Sequence, residues 1–239
     1  MNKKIIIGFA IIGVIIIFIG FFVIKKFDSN TETKENKFSS AETTMKTEEN
    51  MQTNEDEKIN STSNKEKEVD NMYMVGKHNV NIEIKNYGTI ELELDADVAP
   101  LTVANFAKLV NEGFYNGLTF HRIIDGFMIQ GGDPKGYGTG GSSENITGEF
   151  SLNGIQNSIS HVRGTISMAR ARAYNSASSQ FFIVHEDSTF LDGQYAGFGK
   201  VTKGIEIVDK ICEDIQVEDD NGTVLAENQP VIEKITMID

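Results

Sequence analysis

The stretch Phe120-His-Arg-Ile-Ile-Asp-Gly-Phe-Met-Ile-Gln-Gly-Gly-Asp-Pro134 places two short apolar runs on either side of Asp125-Gly126. Asp-Gly between apolar runs is a strong hairpin signal, because glycine reaches positive φ without steric cost. Alternate residues of a strand share one face. The pattern therefore predicts a hairpin on which Arg122 lies beside an apolar surface built from Phe127, Met128 and Ile129. A fixed cation beside an apolar pocket suits a neutral ligand that offers a lone pair.

Short β-like runs recur through the second half of the chain. Three apolar residues, at 80, 82 and 84, alternate with polar ones, and three more at 90, 92 and 94 do the same, which predicts a hairpin with one solvated face. The other predicted strands are Thr119–Ile124, Phe127–Gly131, Thr165–Ala169, Phe181–His185, Tyr195–Val201 and Val231–Ile238. Many short strands with few helices are typical of an all-β barrel or sandwich, and the pattern alone does not choose between them.

Two helices are predicted among these strands. Apolar residues at 103, 106, 107 and 110 have helical spacing, with Thr102 as the expected N-cap and Gly113 where the helix should stop. The same spacing returns at Ile205, Val208 and Ile211. Cys212, on this second helix, is the only cysteine, and we interpret it as a small packing residue rather than a reactive thiol.

The N-terminal quarter of the chain has a different composition. Ile5–Ile24 is an uninterrupted apolar run of 20 residues, as long as a helix needs to be to cross a bilayer. We interpret residues 1–26 as an uncleaved, single-pass membrane anchor. A cleaved secretory signal is the alternative, although its apolar region is usually only about 7–15 residues. Keeping the short charged tail inside would place the rest of the chain outside the cytoplasm.

Residues 27–71 contain twelve acidic residues and six lysines, with hardly any aromatic side chain. Such a segment buries too little apolar surface to offset its ordering entropy, so we predict a disordered acidic linker. Residues 72–239 then form one domain with a single core. The net charge of −13 argues against nucleic-acid binding, because phosphate recognition needs a basic surface.

The hairpin stretch resembles the core signature of the cyclophilins, which are peptidyl-prolyl cis–trans isomerases. The segments Gly164–Ala169, Ser178–Ile183, Phe190–Gly193 and Phe198–Val201 are also similar to that family. The likeness covers roughly residues 77–239, in family order and spacing. It implies a bacterial-like cyclophilin whose domain is an eight-stranded antiparallel barrel capped by two α-helices. Together with the predicted anchor, this gives a membrane-anchored cyclophilin. The likeness also implies a monomeric catalytic domain that acts on proline-containing polypeptides without a cofactor or metal.

The resemblance also implies the site residues. Arg122 matches the family's catalytic arginine. The residues that match substrate-binding positions are His121, Phe127, Met128, Gln130, Ala169, Arg170, Gln180, Phe182, Phe190, Leu191 and Tyr195. Among these, the proline pocket is lined by Phe127, Met128, Phe182 and Leu191; the glutamines and the backbone of Arg170 would bind the peptide. Gly138 and Thr139 match positions that border the secondary pocket.

Two positions depart from the family pattern. Phe190 stands where the family often has tryptophan, and the chain contains no tryptophan at all. Tyr195 stands where the family often has histidine. The expected function is prolyl isomerisation that assists the folding of exported or surface proteins. The alternative is a chaperone module that binds proline-containing peptides with little turnover.

Overall fold

The computed structural model describes residues 72–238, and the predicted anchor (1–26) and linker (27–71) lie outside this range. The helices are α1 (Pro100–Asn111) and α2 (Ile205–Asp214), and neither described helix has the length and apolar character that a membrane crossing requires. The strands are β1 (Lys77–Ile84), β2 (Gly88–Asp95), β3 (Phe120–Ile124), β4 (Met128–Gly131), β5 (Thr165–Met168), β6 (Phe181–Val184), β7 (Ala196–Lys203) and β8 (Ile232–Met237). Each predicted strand and helix is present. The bounds predicted for the six strands from Thr119 onward differ by at most two residues from those observed, and α1 begins three residues earlier than predicted.

The eight strands form one antiparallel sheet in the order β3-β4-β6-β5-β7-β2-β1-β8. The two ends of this sheet approach each other, because Thr119 pairs with Val231 and the Phe120 N–H donates to the Pro230 carbonyl at 3.0 Å. The sheet is therefore curved into a barrel that is joined at this one seam. The eight-stranded antiparallel architecture and its two helices are confirmed.

The barrel core is built from the predicted alternation. In the β1–β2 hairpin, Val80 pairs with Leu92 and Ile82 with Ile90, and all four side chains are buried. Helix α1 adds Phe106, whose ring contacts Phe181, Phe198 and Tyr115 at centroid distances of 5.6, 5.3 and 5.1 Å. This aromatic cluster links the helix to the sheet.

The N-terminus of α1 is capped by a residue that is distant in the sequence. The helix begins at Pro100 with Ala99 as its N-cap residue, so the prediction that Thr102 is the N-cap is wrong. Instead, the buried Glu149 carboxylate accepts the Leu101 and Thr102 N–H groups at 3.0 and 2.8 Å, and the Thr102 hydroxyl at 2.6 Å. A carboxylate near a helix N-terminus satisfies free N–H groups and complements the helix dipole. At the other end, Gly113 takes a left-handed φ of 71°, as predicted for a helix stop.

A β-bulge in β3 points Arg122 away from the core. Phe120 pairs with Gly131 and Arg122 with Gln130, so His121 is an extra residue on this strand. Because of this insertion, Phe120 and Ile123 are both buried in the core although they are three residues apart. Arg122 therefore lies on the outer face of the barrel wall, beside β4.

Strands β4 and β6 bury side chains on both faces. Ile129 and Ile183 are opposite each other in the register and pack in the barrel core. The prediction that Ile129 lies beside Arg122 is therefore wrong, because alternate residues of β4 face opposite sides of the sheet. Met128 and Phe182 belong to a second apolar cluster, on the outer face, together with Val184. This outer cluster forms the floor beside Arg122.

Candidate active site

The Arg122 guanidinium is held at the edge of the outer cluster by neighbours on two sides. Its Nε donates to the Asn221 carbonyl at 2.7 Å, and its Nη1 donates to Gln130 Oε1 at 3.3 Å and approaches Met128 Sδ at 3.9 Å. Burial lowers the pKa of Arg122 from its ordinary value, against an opposing effect of Tyr195 and Asp219. An arginine stays charged in proteins nonetheless. The result is a half-buried cation in a fixed position.

Two glutamine amides extend this hydrogen-bonded chain. Gln130 Nε2 donates to Gln180 Oε1 at 2.9 Å, and Gln180 Nε2 donates to the Gly140 carbonyl at 2.8 Å. Because Arg122 can only donate, Gln130 must present its oxygen to the guanidinium and its amino group to Gln180. The same reasoning then orients Gln180. The amide orientations are thus dictated by the arginine at one end and a carbonyl at the other.

An apolar pocket adjoins the guanidinium. Met128, Phe182 and Leu191 are buried, and the partly buried side chains packed against them include Phe127, Ala169 and Tyr195. The Tyr195 ring meets Phe182 edge-on at 5.9 Å. Phe190, which is 64% exposed, contacts the Phe127 ring at 5.6 Å on the rim.

The floor of this pocket is supported by a hydrogen-bonded triad of two buried residues, His161 and Ser167, and the exposed Asp192. His161 contacts Ser167 Oγ through Nε2 at 2.9 Å and Asp192 Oδ1 through Nδ1 at 2.8 Å, and its ring stacks on Phe182. Burial lowers the pKa of His161, and the Asp192 hydrogen bond offsets this only partly. A serine nucleophile needs access to substrate, but Ser167 is fully buried. The triad therefore holds Phe182 in place and has no hydrolytic geometry.

A polar groove continues from the pocket, with a cavity volume of about 440 Å³. Its walls include Gln130, Gln180, Ala169 and Arg170, together with the predicted secondary-pocket residues Gly138 and Thr139. The groove thus places the two glutamines between the pocket and the 133–141 loop.

Asp133 organises that loop, and sequence reasoning missed it. Its buried carboxylate accepts the N–H groups of Lys135, Tyr137 and Gly138 at 2.8, 3.2 and 2.6 Å. Burial raises the pKa of Asp133, but the backbone hydrogen bonds outweigh burial and the net shift is downward. A Cβ at Gly140 would overlap the carboxylate, so the loop can close only around glycine. The sequence signal for this loop is Asp133-Pro134 followed by closely spaced glycines, a composition typical of turns.

His121 lies beneath the same loop rather than on the groove wall. Its side chain is buried, and an added Cβ at Gly138 would lie 3.6 Å from its Nε2. Neither ring nitrogen has a hydrogen-bond partner among residues 72–238. A substrate contact through His121 stays a prediction.

Comparison with known proteins agrees with this geometry. The family model described as cyclophilin type peptidyl-prolyl cis-trans isomerase/CLD matches residues 79–237. The chain belongs to the cyclophilin-type family. It is a peptidyl-prolyl cis–trans isomerase, and its isomerase domain contains every site residue discussed above.

Similar proteins are bacterial and eukaryotic. The chain is 47% identical over 149 residues to a probable peptidyl-prolyl cis-trans isomerase of Brucella suis biovar 1 (strain 1330), covering 57% of this chain and 72% of that protein. It is 48% identical over 138 residues to peptidyl-prolyl cis-trans isomerase B of Bacillus subtilis (strain 168), covering 58% and 87%. A crystal structure of a Cryptosporidium parvum cyclophilin in the presence of the dipeptide Ala-Pro matches with a TM-score of 0.59 and 32% identity, covering 67% of this chain and 99% of that one.

One group of possible metal ligands lies behind the β3–β4 turn of the cyclophilin domain. Sequence spacing did not predict it, yet ligand atoms of Asp125, His185 and Cys212 lie within 4.8 Å of one another. Both His185 ring nitrogens already have partners, the Gly126 N–H at 3.0 Å and Asp209 Oδ1 at 3.1 Å. Burial, aided by the nearby carboxylates, raises the pKa of Cys212 to about 12. The group is therefore a hydrogen-bonded anchor of the turn, which agrees with a packing role for the half-buried Cys212.

Proposed function

We propose that the isomerase binds an X-Pro segment with the proline ring in the pocket of Met128, Phe182 and Leu191 and with Arg122 directed at the prolyl nitrogen. One observation carries this assignment. Arg122 uses Nε and Nη1 within the protein, while its Nη2 has no hydrogen-bond partner among the described residues. A fixed guanidinium with an open donor beside an apolar pocket is what a rotating imide requires.

The reaction needs no bond to break. Rotation about the X-Pro bond is slow because the amide has partial double-bond character, with a barrier of about 18–20 kcal/mol. In the twisted state the nitrogen lone pair is localised, so it accepts a hydrogen bond that the planar imide accepts poorly. Arg122 would bind the twisted state better than either planar isomer, and only such differential binding accelerates rotation. Each 1.4 kcal/mol gained is about tenfold in rate.

The flanking peptide chain would be held by the groove. Gln130 and Gln180 line it with amides of fixed orientation. The main-chain N–H and carbonyl of Arg170 make no hydrogen bond within residues 72–238, so an extended peptide could pair there as an added strand. Holding the residues before proline while the ring sits in its pocket would confine the motion to the imide bond.

Exchange measurements with the purified full-length chain test the role of Arg122. Arg122→Ala should lower kcat/KM for cis–trans exchange of a short Ala-Pro peptide on the order of 10²-fold, as for loss of one charged transition-state donor. The control is Lys234→Ala, which removes one positive charge from an exposed position on β8 and should leave exchange unchanged. An unchanged exchange rate in Arg122→Ala would reject the mechanism.

We further propose that the clients are exported or surface proteins. The support is the apolar run of 20 residues at Ile5–Ile24, followed by the acidic segment 27–71 that would tether a monomeric domain outside the cytoplasm. In untreated cells the domain should then be found in the membrane fraction. Protease added to intact cells should degrade it. Deleting residues 1–26 should release it. Protection of the domain in intact cells would place it inside instead.

A further inference from the structure

Arg170 is a second arginine at the groove, and its side chain is bound entirely by the protein. The guanidinium donates twice to the Gln194 carbonyl, from Nε at 3.0 Å and from Nη2 at 2.8 Å. Its Nη1 donates to the carbonyls of Ala171 at 3.0 Å and Arg172 at 3.4 Å. All three nitrogens therefore bind main-chain oxygens from two separate loops.

Three aromatic rings surround the same guanidinium. Its carbon lies 4.7 Å from the ring centre of Tyr195, 5.0 Å from that of Phe150 and 5.1 Å from that of Tyr174. Cation–ring contacts within about 6 Å are attractive, and they strengthen as the cation loses water. Phe150 is buried, so the group is anchored in the domain on one side.

The contacts of Arg170 meet the proline pocket at Tyr195. The Tyr195 ring contacts both the guanidinium carbon, 4.7 Å from the ring centre, and the Phe182 ring, at a centroid distance of 5.9 Å. Phe182 forms the pocket floor. The orientation of Tyr195 therefore depends on a cation that no substrate atom has to touch.

We propose that the Arg170 side chain is a positioning residue of the isomerase: it fixes Tyr195 as a wall of the proline pocket and fixes the 171–174 rim of the groove. This inference rests on the proposed role of Tyr195 in the pocket. It assigns the Arg170 side chain a task separate from that of its main chain, for which we propose pairing with the peptide.

Positioning Tyr195 and the 171–174 rim requires an arginine, and another cation would not suffice. The guanidinium is planar, so it can lie against several rings while its fork of donors reaches one carbonyl twice. A lysine ammonium is a strongly hydrated point charge without that fork. Arg170→Lys should therefore resemble Arg170→Ala and should not restore the wild-type behaviour.

Loss of Arg170 should weaken binding more than it slows rotation. A pocket wall contacts the proline ring in the planar isomers and in the twisted state alike. Interactions that are equal in the ground and transition states change KM and leave kcat unaffected. This separates Arg170 from Arg122, whose loss should lower kcat.

A double-mutant cycle in the full-length chain tests the proposal. The variants are Arg170→Ala, Tyr195→Ala and the double mutant, with Arg170→Lys as the conservative variant and Lys234→Ala as the charge control. Affinity for a tetrapeptide with a central Ala-Pro bond and exchange at saturating peptide are measured for each, and Tyr195 ring resonances report the position of the wall. Both single alanine variants should weaken affinity about 5–10-fold with kcat within about twofold, and the double mutant should be no weaker than the worse single.

The outcomes separate two kinds of failure. If Tyr195→Ala weakens affinity equally with and without Arg170, Tyr195 is a pocket wall but Arg170 does not position it. If Arg170→Lys keeps wild-type affinity and unshifted Tyr195 resonances, the requirement for a planar fork is wrong. If Tyr195→Ala leaves affinity unchanged, the pocket role of Tyr195 itself fails and the inference falls with it.

Discussion

Arg122 and Arg170 both border one pocket, Arg122 through Met128 and Arg170 through Tyr195, and their surroundings differ in which donors they leave without a partner. Arg122 lies on a strand, with two of its nitrogens bound internally and its Nη2 without a partner among the described residues. Arg170 lies in a loop, with all three nitrogens bound to carbonyls and three rings around its carbon. An arginine whose three nitrogens are all bound within the protein organises its neighbours, and one with an unbound nitrogen can act on a ligand.

The two guanidinium groups are also held in position by different kinds of contact. The carbonyl that binds Arg122 Nε belongs to a short turn in which Asp219 accepts both the N–H and the hydroxyl of Thr223, at 3.0 and 2.9 Å. That turn runs beside β3, where the Ile123 N–H donates to the Gly222 carbonyl at 2.8 Å. Arg122 is thus oriented by backbone pairing, whereas Arg170 is oriented by ring contacts and a carbonyl fork.

We expect the largest difference between the two arginines when each is replaced by lysine. Arg122→Lys should lower kcat on the order of 10²-fold, because an ammonium cannot hold Asn221 and Gln130 and still reach the prolyl nitrogen. Arg170→Lys should instead raise KM with kcat nearly unchanged. Separate determination of kcat and KM by lineshape analysis of exchange at several peptide concentrations distinguishes them. If both lysine variants change the same kinetic parameter, kcat or KM, the distinction between Arg122 and Arg170 is wrong.

We expect a smaller effect on kcat from displacing the turn at residues 219–223, which holds Arg122 through the Asn221 carbonyl. Gly222 has a φ of 80°, and a Cβ there would overlap the Ile123 carbonyl. Gly222→Ala should displace the turn, lower kcat about tenfold and cost about 1–3 kcal/mol of stability. The measurements are peptide exchange and urea unfolding.

Gly154 provides a matched control for that substitution. Its φ of 78° is similar, but nothing lies within 4 Å of an added Cβ in the described part of the chain. Gly154→Ala should cost about 1–2 kcal/mol from its left-handed conformation and leave exchange unchanged. Equal losses of exchange in the two alanine variants would mean that the turn does not orient Arg122.

The smallest expected effect concerns two buried histidines, His161 behind the pocket floor and His121 beneath the 133–141 loop. Burial lowers the pKa of His161 and of His121 below the ordinary histidine value, so the folded protein favours their neutral forms. Below about pH 6.5 the unfolded chain takes up protons that the folded chain does not. The free energy of unfolding should therefore fall as the pH drops from 7.5 to 5.5, with a slope of at most about 1.4 kcal/mol per unit for each histidine.

Urea unfolding at pH 7.5, 6.5 and 5.5 measures that slope. His121→Leu removes one of the two groups and should make the slope of unfolding free energy against pH shallower. Stability that stays constant or rises as the pH falls would contradict the assignment of buried neutral histidines.

The sequence by itself determined the strands, the helices and the family. Apolar alternation is a local property, so the β1–β2 hairpin and the β3–β4 hairpin around Gly126 could be predicted from neighbouring residues. Helix starts were less predictable. Thr102 looked like an N-cap, but the carboxylate that caps α1 comes from Glu149, 47 residues away from Thr102. Local sequence carries no information about a partner so distant.

Only the tertiary structure decided what each site residue touches. Nothing near Arg122 in sequence indicates that its Nε would be held by Asn221, or that a bulge at His121 would turn it out of the core. Likewise, the side chain of Arg170 was assigned no role until the fold brought Gln194 and Tyr195 around it. Backbone periodicity is set by neighbours along the chain, whereas hydrogen bonds and ring contacts at a site depend on the three-dimensional approach of distant segments.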